Sequence, residues 1–163
     1  MEIFLTSKSK VKGNSAERSI CKFLGQELGG TFQRVPNSGA MTGGANRNRK
    51  IEDGQRKNFE GDIIPPDHLP KLRIESKFYA EFPFHRLMQQ EPIPQLDSWI
   101  EQANIPNSIW FLIFKINRKG SYILFPKSMQ FIVGNHVAYY DFIITNFEPF
   151  ITQNKDMITN MCL

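Results

Sequence analysis

Cysteine is nearly absent from this chain. Only Cys21 and Cys162 occur among 163 residues, too few for a disulfide framework. There is no CxxC pair and no Cys/His cluster, which argues against a structural zinc module. The histidines, His68, His85 and His136, are scattered and none has metal-ligand spacing. Long apolar runs are also missing, so no segment is expected to span a bilayer. Met1 to Leu5 is apolar with one acid, but Lys8, Lys10 and Lys12 follow it, the reverse of a secretory leader. An intracellular, cytoplasmic protein is expected. No internal repeat and no domain-size linker occurs, and the length suits one domain over residues 1–163.

What the chain does have is an uneven positive charge. Lysine and arginine number 20 against 16 acids, and the isoelectric point is about 9.1. That permits a nucleic-acid partner without establishing one. Arg34, Arg47, Arg49, Lys50, Arg56 and Lys57 fall in one irregular stretch, opposed only by Glu52, Asp53 and Glu60. Residues 36–61 show no periodicity. A loop of that length in a compact domain is functional or a solvated tract. Lys8, Lys10 and Lys12 belong to a basic arm, residues 1–13, which Gly13 ends.

Hydrophobic spacing places the elements. Asn14 followed by Glu17 reads as a capping box. Ala16, Ile20, Phe23, Leu24 and Leu28 then recur at helical intervals, with Cys21 as a small core residue, until Gly29-Gly30 stops the helix. Thr31 to Val35 and Asp62 to Ile64 read as short strands, and Leu72 to Tyr79 as a returning strand. Phe82, Phe84, Leu87 and Met88 can pack beneath a loop. Leu96, Trp99, Ile100 and Ala103 form one helical stripe. Ile109 to Ile116 is almost wholly apolar and predicts a strand buried on both faces. Ser121 to Phe125 pairs back after a turn at Arg118-Lys119-Gly120. Lys127 to Val133 reads as a short helix, Val137 to Ile144 as one more strand, and Pro149 to Leu163 as a weak helix with Cys162 in a frayed tail. The fold class is α/β, a mixed sheet flanked by helices, with a C-terminal extension from about residue 145.

Chemistry concentrates at Asp62, Glu75 and Lys77. Residues i and i+2 of a strand share a face, so Glu75 and Lys77 project together while Ile74 and Ser76 face the other way. A hairpin can bring Asp62 beside Glu75. Two carboxylates with waters and a carbonyl form an oxygen-rich site for Mg²⁺, and a metal there suits phosphodiester hydrolysis. Lys77 can orient water or stabilise phosphate charge. Glu17 can lend a further carboxylate.

Taken together, these blocks resemble the archaeal-type Holliday junction resolvases of the PD-(D/E)xK nuclease superfamily. Lys12-Gly13-x-x-Ala16-Glu17-Arg18 is similar to their opening helix. Arg34 with Ser38-Gly39 resembles the next block, Gly61-Asp62-Ile63-Ile64 the metal-binding strand, and Ile74-Glu75-Ser76-Lys77 the ExK strand. Gln95 and the helix around Trp99 fall where that family has a helix, followed by an apolar strand. The resemblance covers roughly residues 12–125. It implies a restriction-endonuclease-like fold, a homodimer, and Mg²⁺ dependence with Mn²⁺ able to substitute. Glu17, Asp62 and Glu75 become metal ligands, with Lys77 and Ser38 beside them in the catalytic centre. On their charge, Lys8, Lys10, Lys12, Arg18, Arg34, Arg47, Arg49, Lys50, Arg56 and Lys57 are the expected DNA contacts, meeting phosphates without sequence choice. Branched DNA, above all a four-way junction, is the implied substrate. The insertion between Ser38 and Asp62 and the C-terminal extension depart from compact members. An Asn-, Ile-, Phe- and Lys-rich composition is compatible with a bacteriophage gene.

Plainer readings stand beside these. Glu17 serves equally as the third residue of a capping box, Asp62 as a turn residue after Gly61, and Glu75 with Lys77 as a solvated strand face. Ser38 suits an ordinary turn, and the basic loop a solvated tract. A restriction-type, flap, nick or single-strand nuclease fits the same residues, as does a DNA-binding module without catalysis.

Overall fold

The computed structural model describes residues 8–35 and 61–163, with side chains from Lys12 onward. Ser38, Arg47, Arg49, Lys50, Arg56 and Lys57 lie outside the described residues, as do the side chains of Lys8 and Lys10. The order is α1 (Lys8–Leu28), β1 (Gln33–Arg34), β2 (Ile63–Ile64), β3 (Leu72–Tyr79), α2 (Phe84–Met88), α3 (Pro94–Ala103), β4 (Ile109–Ile116), β5 (Gly120–Pro126), β6 (His136–Tyr139), β7 (Phe142–Asn146) and α4 (Phe147–Met161). The described strands form one mixed sheet in the order β1-β2-β3-β4-β5-β7-β6. Only β3 and β4 run parallel, because the crossover between them holds α2 and α3. All other neighbours are antiparallel.

Register decides what each face carries. Ile74 pairs with Phe111 and Ser76 with Ile113, whereas Glu75 pairs with Leu112 and Lys77 with Phe114. Ile63, Ile74, Phe111 and Ile113 pack with Ile20, Leu24 and Leu28 of α1 and with Phe150, Ile151 and Ile158 of α4. Leu112, Phe114 and Ile116 pack on the opposite face with Leu96, Trp99, Ile100 and Ala103 of α3. The continuous apolar run of β4 is thus buried on both sides, as its composition requires.

Several sequence expectations are corrected here. Helix α1 begins at Lys8, so residues 8–13 are helical and Asn14 is no cap. The Asn14 side chain instead accepts a hydrogen bond from Arg34 Nη2 at 2.7 Å, a tertiary contact that sequence spacing cannot display. Val137 to Ile144 is two strands. They are joined by a tight turn at Tyr140-Asp141 in which Tyr140 takes a positive φ of 49°. The expected helix after Lys127 is a single 3-10 turn, ended at Gln130 with φ 54°. Met88 is exposed while Phe82 and Leu87 are buried.

The C-terminal segment is no frayed tail. Helix α4 starts at Phe147, and Pro149 falls in its first turn, where a missing N–H costs nothing. Cys162 is fully buried, and its carbonyl accepts from Lys71 N–H at 3.4 Å. Asn154, also buried, clasps the segment before β6. Its Oδ1 accepts from Ile132 N–H at 2.9 Å, and its Nδ2 donates to Ile132 O at 2.7 Å and Phe150 O at 2.9 Å. Asn154→Ala removes these partners and leaves buried backbone groups unmatched. It is expected to cost about 2–3 kcal/mol in urea denaturation; a loss below about 0.5 kcal/mol would show that water replaces the amide.

Candidate active site

Asp62 sits at the entrance to β2, and a glycine places it there. Gly61 has φ 79°, and a Cβ on it would lie 2.6 Å from the Ile74 carbonyl oxygen. Only a residue without a side chain allows β2 to close on β3 at this point. Asp62 N–H then donates to Ile74 O at 2.8 Å, and Asp62 O accepts from Val35 N–H at 2.9 Å, which ties the residue to strands on both sides. Its carboxylate is fixed as well, with Oδ2 accepting from Ser76 N–H at 2.8 Å and from the Ser76 hydroxyl at 3.4 Å. Gly61→Ala is expected to cost about 1–3 kcal/mol through the left-handed backbone and the clash. It should also lower any activity that depends on Asp62. Unchanged stability and turnover would mean that the β2 entrance is plastic.

Glu75 and Lys77 extend from the face of β3 that looks toward α3. Lys77 Nζ lies 2.9 Å from Glu75 Oε1 and donates to Gln102 Oε1 of α3 at 2.5 Å. Both side chains are largely buried, at 12% exposure for Glu75 and 19% for Lys77. Burial first, and then the charge of Asp62, push the Glu75 carboxyl up to about 7; the Lys77 ammonium offsets part of this. Two carboxylates and one ammonium therefore meet at one point, with negative charge in excess.

Glu17 is placed elsewhere. Its Oε2 accepts from Arg34 Nε at 2.6 Å. Arg34 pairs with Ile63, and Ile63 with Ile74, so this ion pair belongs to the α1 face of the sheet. Among the described residues no group of three or more His, Cys, Asp or Glu side chains gathers. Glu17 thus does not join Asp62 and Glu75; the guanidinium of Arg34 holds it instead. Lys12 and Arg18 are exposed on α1. Ser76 and Gln102 are site residues that sequence reasoning missed. Ser76 is the unassigned middle of the ExK triplet. Gln102 gives no signal, because only the packing of α3 on the sheet brings it to Lys77.

The donor set suits a hard divalent cation. Such ions take oxygen ligands, and Mg²⁺ is commonly held by one or two carboxylates, with water and phosphate oxygens completing the shell. The unbalanced charge of the buried Asp62–Glu75 pair is what a cation would neutralise. Lys77 is held where its ammonium can touch a phosphate oxygen or a water beside the pair.

Residues 8–161 match the model of a family described as "Phage putative PDDEXK endonuclease". No curated protein and no solved structure matches the chain. With its mixed sheet and flanking helices, the match makes this an α/β fold of the restriction-endonuclease-like kind. No helix among the described residues is long and apolar enough to cross a membrane.

Proposed function

The chain belongs to the phage PDDEXK endonuclease family, a family of nucleases, and on that premise we propose that it is an Mg²⁺-dependent endonuclease selective for branched DNA, with the four-way junction as substrate. The observation that carries the reading is the meeting of Asp62, Glu75 and Lys77 on one face of β3, with Lys77 Nζ 2.9 Å from Glu75.

Asp62 and Glu75 would hold the divalent ion. When bound, the ion supplies Lewis-acid stabilisation of the phosphate and a more acidic water. The protein's own residues do the rest. Ser76 fixes the Asp62 carboxylate through two hydrogen bonds. Gln102 and Glu75 fix the Lys77 ammonium, which is then preorganised to bind a non-bridging phosphate oxygen or orient the attacking water. Hydrolysis adds water across one P–O bond and leaves a phosphate end and a hydroxyl end. Glu17 acts at one remove in this scheme, by orienting Arg34 toward DNA. A C₂ homodimer would place two such sites for paired cuts in opposed strands. The Arg/Lys stretch at residues 47–57 would add phosphate contacts without sequence choice.

The test is a panel of labelled substrates: an immobile four-way junction, linear duplex, nicked duplex, flap and single strand, each with and without Mg²⁺ or Mn²⁺. The junction should be cut at least about 10-fold faster than the duplex, an energetic preference of about 1.4 kcal/mol. Equal rates would discard junction selectivity in favour of a restriction-type enzyme. No cutting of any substrate would leave a DNA-binding module.

A further inference from the structure

The α1 face carries a groove that the catalytic reading does not use. It has a volume of about 580 Å³ and runs between α1 and β1. Among the described residues Arg18, Lys22 and Arg34 line it, with Gln26, Thr31 and Gln33, and no carboxylate does. Arg18, Lys22 and Gln26 follow at four-residue intervals. They stand about 6 Å apart along one helix face, comparable to the separation of successive phosphates in a nucleic-acid strand. Arg18 and Lys22 are exposed and form no ion pair with any described residue. Arg34 closes one end as a fixed guanidinium, held by Glu17 and Asn14. The lining also includes the buried Cys21 and Phe32 and the backbone of Gly25, where a Cβ would sit 3.0 Å from Gly30 O. Beyond β1 no further strand occurs among the described residues.

We infer that this groove is a second DNA-binding surface that takes a run of backbone phosphates. It lies on the face of the sheet opposite Glu75 and Lys77, across the β1–β2 edge. Bound DNA therefore engages the protein on both faces of that edge, which a branched substrate does more readily than a single straight duplex. The inference rests on DNA being the substrate. It adds a site and a geometry that the catalytic centre does not require. Readout is independent of sequence, because phosphates carry none.

Binding of fluorescently labelled junction and duplex to the full chain, in chelator and over a range of salt, tests this. Arg18→Glu/Lys22→Glu should weaken binding at least about 10-fold. It should also reduce the slope of log affinity against log salt by about 1.8, or 0.9 for each lost phosphate contact. Losses should be equal for unrelated sequences. Arg18→Gln and Lys22→Gln, milder exposed changes, should each lower the slope by about 0.9. Lys155→Glu on α4 is the control, and should change neither quantity. Unchanged slope in the double variant, or an equal loss in the control, overturns the groove. Wild-type protein that binds DNA but never cuts it with Mg²⁺ would reject the nuclease reading and leave the groove standing. Failure of the wild type to bind DNA would reject both.

Discussion

Asp62→Ala and Glu75→Ala are each expected to reduce Mg²⁺-dependent cleavage by about 10³-fold or more, while DNA binding in chelator persists. The magnitude follows from what these carboxylates would do. Metal-assisted charge stabilisation is worth several kcal/mol, and each 1.4 kcal/mol is about tenfold in rate. Either alanine leaves one carboxylate where two converge, so the ion is held less tightly and its position against the phosphate is less fixed. Asp62→Ala also releases the Ser76 N–H and hydroxyl, so its effect on folding needs a parallel melt. Asp62→Asn keeps an acceptor for Ser76 and removes the charge, which separates catalysis from local order. Lys77→Ala should slow single-turnover cleavage without altering metal affinity to the same degree. Cleavage that survives in both purified carboxylate variants would place the active site elsewhere.

Glu75→Gln is expected to stabilise the protein in chelator at pH 8, by up to about 3 kcal/mol. The Glu75 carboxyl lies at about 7 in the folded chain against an ordinary value of 4.5, because burial and Asp62 disfavour its charge. Between these values the folded state holds the proton more tightly than the unfolded state does. Its contribution to stability is therefore present below about 4.5 and is lost as pH rises through about 7. Glutamine carries no such charge. The variant and the wild type should differ least below about pH 4.5 and most above about pH 7.5. Divalent cation should then reverse the order, since it binds the folded wild type and not the variant to the same extent. Thermal melts across pH, with and without Mg²⁺, give both readings. A variant less stable than wild type at pH 8 in chelator would show that Glu75 is held comfortably as an anion, and the case for a site short of positive charge would fail.

Much of the fold was legible in the sequence where one signal dominates. The span Leu72 to Tyr79, the stripe Leu96, Trp99, Ile100 and Ala103, and the doubly buried run Ile109 to Ile116 all stand as read. Each rests on periodicity or composition over eight or more residues. Boundaries set by single contacts were not legible. The start of α1 is not legible locally, because Asn14 and Glu17 mimic a cap although Arg34 takes both side chains. The β6–β7 turn was hidden because Tyr140-Asp141 interrupts a β-prone run without glycine, asparagine or proline. Cys162 looked peripheral because position in the chain says nothing about burial; α4 carries it into the core beneath Lys71.

The sequence by itself determined the α/β alternation and the shared face of Glu75 and Lys77, because both follow from periodicities of the backbone that hold whatever the surroundings. Tertiary structure alone decided which acids meet. Asp62 reaches Glu75 through the bare backbone at Gly61, whereas Glu17 is drawn to Arg34 on the far face of the sheet. Strand register and competition among charged partners act between residues remote in the chain, and local pattern holds no record of either.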